Sequence, residues 1–182
     1  MVSSPLGNAS RCIIVCFTVA SCFFSCRLCF GDEHPSLETQ IWAAVQIGST
    51  NLLDQVLGNG SVDINNIVNA QGESPLHSAA RNGYSDVVTR LLAAGANIER
   101  RDYRGETALM EACLLRRLKC VKALLKGGAD VHATNYNGMS AIDYTRITIK
   151  HFRSSSSNGM SDATLSKEIQ DALREAGESQ AR

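Results

Sequence analysis

The sequence is poor in aromatic residues, in proline and in net charge. Only 5% of its 182 residues are Phe, Trp or Tyr, three are Pro, and 18 basic residues are balanced by 18 acidic ones. A chain without net charge has no overall field that would attract nucleic acid, so we expect no nucleic-acid partner. The length allows one domain and an appendage, and it excludes two domains of ordinary size.

The sequence also lacks the patterns that carry catalysis or bind metals. Five of its seven cysteines fall in one apolar stretch near the N-terminus, and we interpret Cys22, Cys26 and Cys29 there as small apolar residues. The Cys-x-x-Cys pair of Cys26 and Cys29 has no second pair or Cys/His cluster at zinc-site spacing. No Ser/His/Asp arrangement, phosphate-binding glycine loop or catalytic carboxylate pair is recognisable. We therefore expect no catalytic residue, no metal, no cofactor and no enzyme activity.

What the sequence does contain is an internal repeat with a period of 33 residues. The segments GESPLHSAA at 72–80, GETALMEAC at 105–113 and GMSAIDYT at 138–145 follow one another at this interval. The segments 87–98 and 120–131 align at the same offset, and a degenerate first copy precedes them. The repeat predicts several copies of one small structural unit.

Each unit has the start and stop signals of a pair of helices. Ser74, Thr107 and Ser140 stand where a helix N-cap is needed, and Pro75 follows at the first helical position. Gly83 suits the left-handed residue that ends a helix. A second helix then precedes a polar, glycine-rich turn. One such unit cannot bury its own apolar face, so it must stack against its neighbours.

These segments resemble the ankyrin repeat. Residues 74–77, Ser-Pro-Leu-His, stand for the family's Thr-Pro-Leu-His, and residues 128–131 match its Gly-Ala-Asp-Val. The resemblance implies an all-α solenoid of helix-turn-helix repeats with projecting finger turns. It also implies that fingers and inner helices contact a protein partner, and that His77 hydrogen-bonds within the repeat frame.

The repeats divide the chain into three parts. An apolar segment covers residues 1–31, a repeat domain 32–177, and a short tail 178–182. We place the repeats at about 37–71, 72–104, 105–137 and 138–177, with a surface-loop insert in the last at about 151–163, where a run of serines occurs.

The apolar segment leaves three alternatives open. Residues 12–26 are uncharged and lie between Arg11 and Arg27. They fit a secretory signal cleaved near residue 31, a short membrane anchor over 12–30, or an apolar head with no targeting role. Cys113 and Cys120 align with apolar repeat positions and, as unpaired thiols, favour a reducing compartment. A cytoplasmic or membrane-associated location is therefore favoured, with the secretory pathway as the alternative.

The second-to-third finger and the turn after it are the candidate partner-binding surface. Residues 100–126 contain eight basic and three acidic residues, a local net charge of +5. Arg and Tyr are enriched at energetic hot spots of interfaces. The candidates are Arg100, Arg101, Tyr103 and Arg104 on the finger, and Leu114 and Leu115 on the turn.

The turn departs from the repeat pattern at one position. Arg116 replaces the Gly83-type residue, and a non-glycine residue forced to positive φ costs about 1 kcal/mol. Two leucines precede Arg116 where Arg81 and Asn82 stand one repeat earlier. Either the turn is rebuilt locally or the leucines meet a partner.

We therefore expect a monomeric protein-interaction module, an adaptor or scaffold, that binds a protein partner such as an acidic, amphipathic segment. A membrane contact through residues 12–30 remains open. The alternative is a secreted or organelle-targeted protein that acts on a luminal or host target. By resemblance alone, Leu57, Asp63, Ile64 and Asn65 match the asparaginyl-hydroxylation pattern of ankyrin repeats, with Asn65 as the target.

Overall fold

The computed structural model describes residues 36–58, 62–153 and 159–180. Within these ranges it describes only the backbone of residues 148–153 and 159–163. The predicted N-terminal segment, with its candidate signal and anchor, lies outside these ranges. Within them the structure has eight helices: α1 Leu37–Ile47, α2 Thr50–Gly58, α3 Pro75–Asn82, α4 Ser85–Ala93, α5 Ala108–Leu114, α6 Leu118–Lys126, α7 Ala141–Arg153 and α8 Gly159–Gln180. No helix in the described ranges is long and apolar enough to cross a membrane.

The helices form two rows. The inner helices α1, α3, α5 and α7 pack against one another in chain order, and the outer helices α2, α4, α6 and α8 do the same. In the described residues, the only β-type pairing is an isolated bridge between Thr134 and Ser140. The prediction of an all-α solenoid of helix pairs is confirmed.

The core repeats along the stack because the same positions of each unit are buried. Leu76, Leu91, Leu109 and Leu124 are each exposed by at most 1%, and Leu173 closes the last repeat at 0%. Ala79, Ala80 and Ala112 are also fully buried. Such small residues let neighbouring inner helices approach closely. Each repeat therefore depends on its neighbours for burial.

Successive fingers touch where a tyrosine meets a glycine of the preceding finger. Gly72 and Gly105 have φ of +76° and +75°, and a Cβ added to either would lie 2.6 Å from Tyr103 and 2.8 Å from Tyr136, respectively. The backbone repeats this contact: Tyr103 N donates to Gln71 O and Tyr136 N to Arg104 O, each at 3.2 Å. Glycine is required at these positions for its backbone conformation and for its lack of a side chain.

The last repeat is more helical than the sequence indicates. Helix α7 continues to Arg153 and α8 begins at Gly159, so both helices extend into the predicted insert at 151–163. Residues 147–153 contain neither Gly nor Pro, and nothing in them stops a helix that has already begun. The serine run at 154–157 lies outside the described residues.

Candidate functional site

A groove of about 600 Å³ lies between the first-to-second and the second-to-third finger, beside the ends of α3 and α5. We call it the finger groove. Its apolar wall comes from Ala70, Tyr103, Leu114 and Leu115, and its polar wall from Gln71, Glu73, Arg81, Asp102, Arg104 and Glu111. The groove thus joins the candidate finger to the candidate turn.

Glu111 is the centre of an ion-pair network under the groove. Its carboxylate accepts from Arg81 Nη2 at 3.0 Å and from Arg104 Nη2 at 2.6 Å. Arg81 also pairs with Glu73, and Arg104 Nε donates to Asp102 Oδ2 at 3.1 Å. The three carboxylates are at most 5% exposed, whereas the two guanidinium side chains are 38% and 54% exposed. The arginines therefore lie over the buried acids.

These ion pairs shift the pKa of Arg81 and of Asp102 in favour of their charged forms. The hydrogen bond to Glu111 is the main cause that raises the pKa of Arg81. Burial acts to raise the pKa of Asp102, but hydrogen bonds from the Glu106 backbone and from Arg104 outweigh it, so that pKa lies below its ordinary value. Asp102 Oδ1 accepts the backbone N–H of Glu106 and of Arg104, each at 2.8 Å. Asp102 thereby fixes the finger turn.

Glu106 links the network to the next repeat. Arg104 Nη2 lies 2.8 Å from Glu106 Oε2, and the Tyr144 hydroxyl donates to Glu106 Oε1. Asn135 Nδ2 in turn donates to the Tyr144 hydroxyl at 2.9 Å. Burial and then the Glu106 carboxylate raise the pKa of Tyr144, which keeps the hydroxyl protonated and able to donate.

His77 occupies the structural position that the resemblance implies. Its ring is fully buried, with Nε2 3.0 Å from Glu106 O and Nδ1 3.2 Å from Ser74 N. A neutral ring with the proton on Nε2 satisfies both contacts, because Nδ1 then accepts while Nε2 donates. Burial is the main cause that lowers the pKa of His77.

The groove and its supporting residues have a negative charge sum. Four buried carboxylates, those of Glu73, Asp102, Glu106 and Glu111, face the two guanidiniums of Arg81 and Arg104. The sum is therefore −2. Single oxygens of Glu73, Asp102 and Glu111 lie within 4.8 Å of one another, a spacing at which carboxylates can share a metal ion. Here both arginines already bind these oxygens as counter-charges.

The structure separates the six candidate residues into two groups. Tyr103, Arg104, Leu114 and Leu115 line the finger groove together. The Tyr103 side chain is 71% exposed and Leu115 is 40% exposed, whereas Leu114 packs partly against the core.

Arg100 and Arg101 form the second group, since both bind neighbouring fingers instead of lining the groove. Arg100 Nη1 donates to Asn65 O at 2.6 Å, and Arg101 Nη1 donates to Thr134 O at 2.5 Å. Both guanidiniums have main-chain partners one repeat away. The local excess of basic residues in the sequence is therefore not concentrated in the groove.

The turn at Arg116 keeps the geometry of its glycine counterpart. Arg116 has φ of 58° and is the only non-glycine residue with positive φ in the described part of the chain. Arg117 N donates to Ala112 O at 2.8 Å, as Tyr84 N donates to Ala79 O at 3.1 Å one repeat earlier. The turn is thus not rebuilt, and the left-handed backbone holds Leu115 at the edge of the groove.

Asn65 also binds across two fingers. Its Oδ1 accepts from Asn97 N at 2.7 Å and its Nδ2 donates to Gly95 O at 3.1 Å. Asp63 Oδ1 accepts from Asn65 N at 3.0 Å. The side chain has a structural role here, and its hydroxylation stays a prediction.

Sequence reasoning missed the acidic half of the groove. Glu111 stands between Met110 and Ala112 in an inner helix, aligned one repeat after the buried Ser78. A carboxylate at such a position requires a partner, and this signal could have directed attention to Arg81. The partner itself lies 30 positions away in sequence and becomes adjacent only through stacking.

A family model for ankyrin repeats, in three copies, matches residues 41–135. Similar curated proteins include the probable E3 ubiquitin-protein ligase XBOS32 of Oryza sativa subsp. japonica, 44% identical over 75 residues, or 41% of this chain and 15% of that protein. The potassium channel AKT2/3 of Arabidopsis thaliana is 30% identical over 140 residues, 59% of this chain and 17% of the channel. The B-cell lymphoma 3 protein homolog of Mus musculus is 36% identical over 90 residues, 47% and 19% of the respective chains.

The chain spans less than a fifth of the length of each of these relatives. The activities in the names of the ligase and the channel belong to those whole proteins. What the match supports for this chain is the general role of ankyrin repeats, which is to mediate protein–protein interaction.

Proposed function

Since the chain belongs to the ankyrin-repeat family, we propose that it is an adaptor or scaffold that holds a protein partner against its fingers and inner helices. The observation that carries this proposal is the finger groove. It combines an exposed tyrosine, an exposed leucine and partly exposed arginines beside one another. Aromatic and arginine side chains next to an apolar surface are typical of the energetic centre of an interface.

The acidic partner segment expected from the sequence stays a prediction. Arg104, one of its three basic contributors, is paired with Asp102, Glu106 and Glu111. Arg100 and Arg101 point to neighbouring fingers. An acidic partner would have to compete with carboxylates that already occupy the groove.

Affinity capture with a groove variant tests the proposal. The full chain and its Tyr103→Ala/Leu115→Ala variant are immobilised, and the proteins that each retains from a cell lysate are compared by mass spectrometry. We expect a set of proteins that the wild-type chain retains and the variant loses. Identical sets from both baits would remove the groove as the binding surface.

Tyr136→Ala provides the matched control. Tyr136 is 72% exposed and packs on Gly105 as Tyr103 packs on Gly72, but it does not line the groove. We expect the Tyr136→Ala bait to retain the wild-type set. A loss equal to that of the groove variant would indicate a general effect on the fingers.

The alternative function, a secreted or organelle-targeted protein cleaved near residue 31, concerns a segment outside the described residues. N-terminal sequencing of the mature protein separates it from the first proposal. A start near Asp32 would support cleavage, and a start at residue 1 or 2 would oppose it.

A further inference from the structure

Building on the proposed function, we infer that the finger groove binds an uncharged, non-helical segment of its protein partner. Main-chain carbonyl oxygens of that segment accept hydrogen bonds from Arg81 and Arg104. An aliphatic side chain of the same segment packs on Tyr103, Leu114 and Leu115. The groove thereby selects its ligand by main-chain acceptors and apolar contact and not by charge.

The first argument is the set of unused donors on the two arginines. Arg81 and Arg104 each use Nε and Nη2 to bind the carboxylates beneath them. A guanidinium has five N–H donors, two of which are on Nη1. Within the described part of the chain neither Nη1 has a partner, and the two side chains are 38% and 54% exposed in the wall of the groove. Both Nη1 groups can therefore donate to a bound segment.

The second argument is the charge around these donors. The carboxylates of Glu73, Asp102 and Glu111 are at most 5% exposed, so the exposed charged groups of the wall are the guanidiniums, which repel a basic ligand. An acidic ligand would meet three carboxylates against two guanidiniums. A neutral carbonyl oxygen accepts the same N–H groups without either repulsion. Mismatched charge selects against a partner, and here it acts against both signs.

The third argument is the uncharged part of the wall. Tyr103 is 71% exposed and Leu115 is 40% exposed beside the partly buried Leu114, so an aliphatic side chain can cover all three. Gln71 is also exposed in the groove, and its amide, which can donate and accept, has no partner among the described residues. Such an amide matches the N–H and C=O of a peptide bond. A helix uses its own main-chain groups internally, which is why the inferred segment is non-helical.

Selection of peptides from a random display library tests the class of ligand. Twelve-residue peptides are selected on the full chain, counter-selected on the Tyr103→Ala/Leu115→Ala variant, and sequenced. We expect enrichment of aliphatic residues flanked by uncharged ones. Enrichment of Asp, Glu, Arg or Lys, or no enrichment above the counter-selected pool, would overturn the inference.

The salt dependence of binding gives a second, quantitative test. The affinity of a selected peptide is measured by fluorescence polarisation at 50 and 500 mM NaCl. We expect it to weaken by less than about twofold, because salt screens exposed ion pairs and the inferred contacts contain none. A larger loss would mean that charged contacts hold the peptide, contrary to the inference.

A swap of arginine for lysine tests the role of the donors. Arg104→Lys keeps the positive charge but lacks Nη1, so we expect it to bind the selected peptide about three- to tenfold more weakly. The matched control is Arg101→Lys, because Arg101 is exposed on the same finger, donates to Thr134 O and does not line the groove. We expect this control to stay within about twofold of wild type, since it removes no contact with the ligand.

Gln71→Met provides a variant that leaves the ion-pair network untouched. It removes the amide from an exposed position, and we expect binding to weaken by about two- to fivefold. Thermal unfolding of the three variants provides the folding control. If folded Arg104→Lys and Gln71→Met both bind as tightly as Arg101→Lys, main-chain recognition is refuted.

The two proposals fail separately. Charged selected peptides together with a groove-dependent set of captured proteins would refute the uncharged segment and leave the interaction module standing. Captured proteins and selected peptides that are both indifferent to Tyr103 and Leu115 would refute the groove as a binding site.

Discussion

The contact between successive fingers gives a sharp test of how rigidly the repeats stack. Gly105 and Gly138 occupy the same position of consecutive repeats and have the same φ of +75°. A Cβ at Gly105 would lie 2.8 Å from Tyr136 Cδ1 and 2.9 Å from both its Cγ and its backbone N. A Cβ at Gly138 would meet nothing within 4 Å. Alanine at the two positions therefore differs only in the inter-finger contact.

We expect Gly138→Ala to lower the free energy of unfolding by about 1 kcal/mol, the cost of a side chain at positive φ. Gly105→Ala should cost about 2–3 kcal/mol. The additional loss arises because Tyr136 N is held by its hydrogen bond to Arg104 O at 3.2 Å. Moving it away sacrifices a bond that contributes about 1 kcal/mol and displaces the ring.

Urea titration followed by far-UV circular dichroism and by the fluorescence of Trp42, the single tryptophan, measures both variants. Removing the ring with Tyr136→Ala in the Gly105→Ala background should restore part of the difference, since the contact with the backbone N persists. Losses that agree within about 0.5 kcal/mol for the two glycine variants would refute the reasoning. The fingers would then be free to separate at little cost.

Four further expectations follow from the buried residues and the strained turn. Leu109, 1% exposed between α3 and α7, should lose about 2–5 kcal/mol of stability on replacement by Ala in urea titration; a loss under about 1 kcal/mol would mean that its packing is loose. Arg116→Gly should raise the melting temperature by a few degrees, because it relieves a left-handed conformation worth about 1 kcal/mol; an unchanged or lower value would show that the side chain's interactions outweigh the strain. Burial lowers the pKa of His77 below its ordinary 6.5, so its neutral form favours the native state above pH 6.5. That contribution should be lost as the pH falls through 6.5 towards the native pKa, and stability measured from pH 7.5 to 5 should fall less for His77→Gln. Burial raises the pKa of Cys113 to about 12 and that of Cys120 to about 11, so mass-spectrometric mapping should find both unalkylated at pH 8 until urea unfolds the chain.

Much of the fold could be predicted because the copies of the repeat can be aligned with one another within this one sequence. Ser74, Pro75 and Gly83 mark the beginning and end of α3. The same positions 33 residues later mark the beginning of α5 and come within one residue of its end. The alignment of Arg116 with Gly83 located the exception but left open whether the turn is rebuilt, and the structure shows that Arg116 keeps the positive φ, at 58°. The extent of α7 and α8 was less accessible, because the last repeat has no further copy with which to align.

The candidate site was only half predictable. Tyr103, Leu114 and Leu115 could be found as apolar or aromatic residues at finger and turn positions, since these positions follow from the repeat register. The charges could not be assigned in the same way. Nothing in the sequence distinguishes Arg100, Arg101 and Arg104 from one another. In the structure, Arg100 and Arg101 bind the main chain of neighbouring fingers, whereas Arg104 binds buried carboxylates.

The sequence by itself therefore determined the class of fold and the register of the repeats. The fold class and the register depend on local signals, such as helix caps and turn residues, and on the 33-residue interval at which these signals recur. Only the tertiary structure decided which charges are paired and which of them are buried. Arg81 and Glu111 are 30 positions apart, and Tyr144 and Glu106 are 38 apart. Stacking brings such residues within hydrogen-bonding distance, and the electrostatic energy of a charge depends on those distances and on its burial rather than on its place along the chain.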